Sequence, residues 1–146
     1  MVLPTITVED VRRVGLPAAA ANVQPAGGDV ALNVPVNVYA HAGAVTREVQ
    51  VLGFPVTIRA TPVAFTWSFG DGGSLGPTAD PGAPYPAMTT THTYTRPGTY
   101  AVTLTTTYTA EYAVAGLQSR PVDGTVGVAS PATTLTAHAG TTVLTR

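Results

Sequence analysis

Apolar and polar residues alternate strictly over four long runs of this 146-residue chain. The runs cover residues 34–41, 54–61, 63–69 and 100–112. A period of two gives a strand one apolar face for the core and one face for water, so the pattern predicts half-buried antiparallel strands. Threonine occupies much of the wet face of the last run and adds strand propensity, because it is β-branched.

Glycine and proline mark turns between these runs. The turn signals are Gly53, residues 70–73, Pro97-Gly98, Gly116 and Asp123-Gly124. Many short strands separated by such turns favour an all-β sandwich. Residues 74–91 are rich in Gly, Pro, Ala and Thr and have little periodicity, so they are expected to form a long loop.

The N-terminal region carries the signals of one short helix. Thr7 fits the N-cap position, Glu9 and Asp10 fall in the first turn, and Gly15 ends the pattern after two turns at most. The adjacent acids are explained by this capping rather than by acid–base chemistry. Residues 17–29 are expected to be an irregular connector.

The length predicts a single domain over residues 1–146. Residues 1–33 would be an N-terminal arm and connector, and residues 34–130 the sandwich. Residues 131–146 would be either a last strand or an arm that docks elsewhere.

Composition excludes several classes of function. Only 10% of residues are charged, the net charge is −1 and every basic residue is Arg, so there is no basic field to attract nucleic acid. Without cysteine there is no disulfide, thiolate nucleophile or Cys-based metal site. No apolar run approaches the ~20 residues of a membrane span.

The first residues do not resemble a signal peptide. Either a signal peptide was removed or the protein does not use one.

Three short sequence blocks are specific enough to compare with a known family pattern. Residues 65–72 read FTWSFGDG, residues 92–94 read HTY, and residues 97–105 read PGTYAVTLT. In this order they resemble the PKD (polycystic kidney disease) family pattern of W-x-F-G-D-G, H-x-Y and P-G-x-Y-x-V-x-L. The residues that carry the match are Trp67, Phe69, Gly70, Asp71, Gly72, His92, Tyr94, Pro97, Gly98, Tyr100, Val102 and Leu104.

The resemblance implies an immunoglobulin-like antiparallel β-sandwich with one short helix at most. It covers residues 63–108 well and residues 34–130 loosely. The 74–91 insertion is longer than usual, and the flanks 1–33 and 131–146 lie outside the pattern. The chain is similar to PKD-domain proteins of actinobacteria.

The motif residues have structural roles that follow from their chemistry. Trp67 and Phe69 point to the same side of a strand and bring large apolar area into the core. Asp71 is expected to accept backbone N–H groups of its turn. Tyr100 would act as a tyrosine corner, with its hydroxyl bonded to nearby backbone.

One short segment, residues 72–76 (GGSLG), matches the G-x-S-x-G pattern of serine hydrolases. That pattern works as a nucleophile elbow only between a strand and a helix. Pro77 and a proline-rich loop follow Ser74, so no helix is expected there. The sequence therefore predicts no catalytic residue and no enzyme.

The sequence predicts no metal or cofactor site for the histidines and turn acids. His41, His92 and His138 are scattered, and none is at ligand spacing from another. His92 is expected to bond a backbone carbonyl. Asp71 and Asp80 flank one loop, yet Asp is common in turns, and calcium needs several converging oxygens.

Tyr85 differs from the other tyrosines because it lies in the insertion between two prolines. Loops on rigid scaffolds often carry binding residues, so Tyr85 is the candidate contact residue.

These features predict a non-catalytic module for protein–protein assembly or adhesion, extracellular or on a bacterial cell surface. Self-association through the terminal arms is one expected mode, since an arm can add a strand to a neighbour's sheet. One alternative is a structural protein of an actinobacteriophage virion, on capsid or tail. A second is a carbohydrate-binding accessory domain of a secreted hydrolase.

Overall fold

A computed structural model describes residues 3–139. Within them, one helix and eleven strands follow one another along the chain. They are α1 (Val8–Val14), β1 (Ala20–Gln24), β2 (Asp29–Ala31), β3 (Val36–His41), β4 (Val45–Val51), β5 (Phe54–Ser68), β6 (Ser74–Thr78), β7 (Thr91–His92), β8 (Gly98–Val114), β9 (Arg120–Pro121), β10 (Val126–Ala129) and β11 (Thr133–His138). No helix in this range is long and apolar enough to cross a membrane.

The two longest strands, β5 and β8, pair with each other as an antiparallel ladder. β4 and β6 pair with the free side of β5, one after the other along its length. β11, β10 and β9 do the same on the free side of β8, and β2 lies beside β11. The ladder is therefore the centre of an eight-stranded sheet.

A second sheet, in the order β1-β3-β7, packs against one half of this ladder. The apolar residues between the two sheets form what we call the sandwich core. Its buried members are Ala19, Val30, Val36, Val38, Ala40, Phe65, Trp67, Phe69, Tyr94, Val102, Leu104, Leu135 and Ala137. This arrangement confirms the predicted all-β, immunoglobulin-like sandwich.

The other half of the ladder packs against the N-terminal residues and α1. The apolar residues between them form what we call the helix-side core. Its buried members are Ile6, Val11, Val56, Ile58, Tyr112, Val114, Val122 and Val126. The predicted helix is present, with Thr7 and Asp10 forming a capping box and Gly15 a left-handed C-cap.

A β-bulge between Pro62 and Ala64 joins the two halves of β5. Before the bulge the buried residues have even numbers, as in Ile58, and after it they have odd numbers, as in Trp67. The extra residue is Val63, which is 40% exposed. A bulge puts two residues opposite one, so the numbering shifts by one while the apolar side stays on the same face.

Three sequence expectations need correction. Residues 17–29 are not an irregular connector, because β1 lies inside them and pairs with β3. Residues 74–91 are not all loop, because β6 pairs with β5 and the irregular part is 79–90. Residues 54–61 and 63–69 lie on one continuous strand up to Ser68 rather than on two.

Part of the C-terminal segment 131–146, for which a strand and a docking arm were both expected, is a strand. Residues 133–138 are a strand that pairs with β8, and Leu135 and Ala137 are buried in the sandwich core. Val143 and Leu144 lie outside the described residues.

Replacing Trp67 with alanine should lower the free energy of unfolding by about 3–5 kcal/mol. Trp67 is 0% exposed in the sandwich core, so the truncation leaves a large cavity. Denaturant unfolding would measure the loss, with Val63→Ala on the exposed bulge as the matched control. A loss below about 1 kcal/mol would contradict the placement of Trp67, since that is a surface-like effect.

Candidate interaction site

The Gly-Asp-Gly segment after β5 closes a tight turn into β6. The Phe69 amide donates to the Gly73 carbonyl at 3.0 Å, and the Gly73 amide donates to Asp71 Oδ1 at 2.8 Å. Gly70 has a φ of 83°, and a Cβ there would lie 2.8 Å from backbone atoms of Ala101. The turn therefore needs glycine for both its conformation and its contact with β8.

His92, at the end of β7, packs on this turn. Its ring stacks on Phe69 with centroids 4.0 Å apart, and its Nε2 lies 2.7 Å from Asp71 Oδ2. The expectation that His92 bonds a backbone carbonyl through its ring is corrected here, because its partner is a carboxylate. The reason is tertiary: β7 brings His92 beside a residue 21 positions earlier in the chain.

The pKa of Asp71 lies below its usual range. Burial opposes this shift. The hydrogen bonds from His92 and the Gly73 amide, with the charge of His92, stabilise the carboxylate more than burial destabilises it. The pair holds two neighbouring segments together.

Two tyrosines extend the aromatic stack from His92. Tyr94 meets His92 edge to face at 4.8 Å and stacks on Tyr100 at 4.4 Å. The buried Tyr94 hydroxyl donates to the Phe69 carbonyl at 2.8 Å. The Tyr100 hydroxyl donates to the Arg96 carbonyl at 2.6 Å, which is the geometry expected of a tyrosine corner.

The remaining motif residues support this stack. Gly98 begins β8, and Val102 and Leu104 follow on its buried face. Pro97 comes directly before the strand. All three sequence blocks therefore meet at one end of the sandwich, where their contacts are those of a folding motif.

Ser74 does not lie at a nucleophile elbow. Ser74 begins strand β6 and is exposed, so the helix that a nucleophile elbow requires does not follow it. His41 ends β3 and is exposed, while His138 lies 3.8 Å from Asp29. No group of three or more His, Cys, Asp or Glu residues in 3–139 could hold a metal ion.

Residues 79–90 form an irregular segment along the edge of β3. The Ala40 amide donates to the Pro81 carbonyl at 2.7 Å, and the Val38 amide donates to the Thr90 carbonyl at 3.0 Å. These bonds attach both ends of the segment to a strand of the sandwich, so the segment covers an edge that would otherwise be open.

Two buried or partly buried side chains hold the middle of this segment. The Asn37 side chain donates to the Ala83 carbonyl at 2.8 Å and to Gln24 Oε1 at 3.0 Å. The same Gln24 oxygen accepts from the Tyr85 amide at 2.8 Å. Neither anchor is indicated by the sequence, because the contacts link residues 46 and 61 positions apart.

The Tyr85 side chain extends from this anchored backbone and is 70% exposed. Met88, three residues later, is 39% exposed. In the described part of the chain, Tyr85 is the one aromatic residue among the exposed large apolar side chains. A fixed backbone with an exposed aromatic ring suits a contact site, because little conformational entropy is lost on binding.

A family model described as PKD domain matches residues 15–118. The chain therefore belongs to the PKD domain family. The match begins and ends earlier than the expected 34–130. Residues 15–33, which include β1 and β2, are therefore inside the matched range, and residues 119–130 are outside it. Neither a curated protein nor a solved structure matches the chain.

Replacing Tyr94 with phenylalanine should lower stability by about 1–3 kcal/mol at neutral pH, because the Phe69 carbonyl loses its buried donor. Burial, the Asp71 charge and Tyr100 raise the pKa of Tyr94 to about 12, against about 10 in an unfolded chain. The folded chain therefore binds the proton more tightly, and this stabilisation is complete below pH ~10 and lost as pH rises through ~12.

Urea unfolding across this alkaline range would test the assignment. The difference between wild type and Tyr94→Phe should shrink above pH ~10, whereas Tyr85→Phe should follow wild type throughout. A difference that is constant with pH would contradict a buried, hydrogen-bonded Tyr94.

Proposed function

We propose that this PKD-domain chain is a non-catalytic assembly module that binds a protein partner through the segment 79–90. PKD domains are generally non-catalytic immunoglobulin-like modules that serve protein interaction, typically in extracellular or surface proteins. The observation that carries the proposal is the exposed Tyr85 ring on a backbone fixed by Gln24 and Asn37.

The chemistry of the segment favours a protein as the ligand. Asp80 is its one charged residue, and one oxygen of this exposed side chain accepts from the Gly82 amide at 2.8 Å. The other exposed groups are a tyrosine ring, a thioether, prolines and the Thr89 side chain, and the apolar groups among them match an apolar or aromatic patch. A polysaccharide would be better served by a row of exposed aromatic rings, so the accessory-domain alternative is less favoured.

The setting belongs to the proposal as well. We place the module at the surface of a bacterial cell, in an adhesion or assembly role, with an actinobacterial source. A phage virion remains the alternative, and the genes beside this one would separate the two. Portal, capsid and tail genes would indicate the virion, whereas secretion or pilus genes would indicate the cell surface.

Photo-crosslinking from position 85 would identify the partner. A photoreactive amino acid at Tyr85 should give a specific protein adduct in the native source, and the same amino acid at Thr109, on the exposed sheet face, should not.

With the isolated partner, Tyr85→Ala should weaken binding roughly 30-fold, the loss typical of an aromatic hot spot. Leu117→Ala, at a site 55% exposed in another turn, is the matched control. Equal loss in both variants, or none in Tyr85→Ala, would contradict the proposal.

A further inference from the structure

Strand β4 is an open edge of the eight-stranded sheet. Within residues 3–139 it pairs only with β5, over all seven positions from Val45 to Val51. It contains no proline, and its pairing with β5 has no bulge. The other outer strands of this sheet, β2, β6, β9 and β10, have only two to five residues. A regular edge of this length is a template for another strand, and natural proteins usually protect such edges.

The turn after β4 sets the hydrogen-bond pattern between β4 and β5. Leu52 and Gly53 have φ values of 52° and 81°, the left-handed pair of a two-residue hairpin. Val51 and Phe54, which flank that turn, therefore exchange hydrogen bonds with each other. Because hydrogen-bonded pairs alternate along an antiparallel ladder, the odd-numbered residues of β4 bond to β5.

The even-numbered residues of β4 therefore direct their backbone groups away from the sheet. They are Thr46, Glu48 and Gln50. Pro55, which lies opposite Gln50, agrees with this pattern, because proline has no N–H to donate to β4. Each of the three outward-facing residues offers one N–H and one C=O to an incoming strand.

A second copy of β4 can use these groups in antiparallel orientation. An even-numbered residue of one copy must then lie opposite an even-numbered residue of the other, because only these have outward backbone groups. Such pairing keeps equivalent faces of the two sheets on the same side, which is what a two-fold axis perpendicular to the sheet produces. The axis then lies between one residue and its own copy. Positions 47, 48 and 49 are the three that leave at least five residues of each β4 paired.

The two charged residues of β4 decide between these three registers. An axis at position 47 would put Arg47 opposite its own copy, and an axis at position 48 would do the same for Glu48. Like charges directly opposite each other destabilise a sheet. An axis at position 49 puts Val49 opposite Val49 and leaves no like charges opposite each other, so the sequence favours this register.

The register about Val49 also gives complementary pairs. Glu48 lies opposite Gln50 of the second copy, where its carboxylate can accept from the side-chain amide. Val49 meets Val49 in a non-hydrogen-bonded pair, the kind in which side chains are closest. Leu52, which is 79% exposed, falls opposite position 46, so each exposed turn lies at one end of the contact.

A groove of about 390 Å³ lies beside β4 on the face of the helix-side core. Its walls include Val14, Val51 and Ile58 together with the charged residues Asp10 and Arg13. The odd-numbered side chains of β4 share this face, so Arg47 of the second copy would lie opposite Val51 at the edge of the groove. An arginine suits this mixed lining, because its methylene stem packs on apolar groups while its head stays with polar groups and water.

We infer that two copies of this chain pair antiparallel through β4, with Val49 of each copy at the two-fold axis. The eight-stranded sheet of one copy then continues into that of the other. The same surface is used on both copies, so the contact closes as a dimer. It involves a different segment from residues 79–90 and therefore goes beyond the proposed partner binding.

The first experiment measures sedimentation of the full-length protein at concentrations up to ~1 mM, which covers weak dimers. Wild type should rise from the 14.9 kDa monomer to twice that mass and no further. Gln50→Glu should weaken the dimer roughly 10-fold, because it makes two like-charge pairs with Glu48. Gln50→Lys should strengthen it by a similar factor, because it makes two pairs of opposite charge.

Matched variants separate this pairing from an effect of net charge. Gln118→Glu and Gln118→Lys make the same charge changes at an exposed site between β8 and β9, and they should leave the dimer unchanged. Adding Glu48→Lys to Gln50→Glu restores opposite charges across the contact and should recover the dimer.

The second experiment uses the absence of native cysteine. Val49→Cys should form a disulfide-linked dimer on mild oxidation, since Cα atoms in a non-hydrogen-bonded pair are ~4.5 Å apart, within the range of a disulfide. Val51→Cys, on the same strand and the same face, should not, because it lies opposite Arg47 rather than its own copy. Circular dichroism would verify that each variant keeps the fold.

A wild type that stays monomeric throughout would overturn the inference, as would equal responses to Gln50→Glu and Gln50→Lys. Equal disulfide yields from Val49→Cys and Val51→Cys would overturn it as well. These outcomes are separate from a failure of the contact at residues 79–90. Tyr85→Ala should leave the dimer unchanged, and Gln50→Glu should leave the adduct at position 85 unchanged.

Discussion

The structure depends on one antiparallel ladder, the pairing of β5 with β8. Both cores lie on the same face of this ladder, the sandwich core at one half and the helix-side core at the other. Every strand of the large sheet except β2 pairs directly with β5 or β8. The Tyr108 side chain lies between the halves, and its hydroxyl donates to the Pro17 carbonyl at 2.8 Å, just after α1. Burial raises the pKa of that hydroxyl.

The folding motif and the proposed contact site lie on different segments of the chain. The motif residues meet at one end, where Asp71, His92, Tyr94 and Tyr100 fix the turn and the start of β8. These contacts hold the three motif blocks together. The surface to which we assign the proposed function is the segment 79–90, which lies outside the three motif blocks.

Strong local patterns made much of the fold predictable. Alternation gave the buried faces of β5 and β8 correctly, and Thr7, Asp10 and Gly15 gave the helix with its caps. The apolar positions shift from even to odd numbers between Ala60 and Phe65, as a β-bulge requires. Two separate strands would give the same sequence pattern. β1 and β6 were missed because they are short and only partly buried, so they show no clean alternation.

The contacts of the site were harder to predict for a physical reason. Tyr85 could be singled out because it lies between prolines in a loop. Gln24 and Asn37 could not, because an amide side chain that anchors a distant backbone has no local signature. The same holds for His92, because tertiary packing, and not a local sequence signal, places the Asp71 carboxylate beside its ring. Sequence patterns report the period of a strand better than the identity of its long-range polar contacts.

We propose that the shared ladder makes the two cores one folding unit. Native-state hydrogen exchange at Thr105, beside the sandwich core, and at Ala113, beside the helix-side core, tests this most directly. The two amides should exchange through openings of equal free energy, and Trp67→Ala should lower both equally. If Ala113 exchanged through a separate, smaller opening that Trp67→Ala left unchanged, the two halves would be independent and the ladder would not couple them.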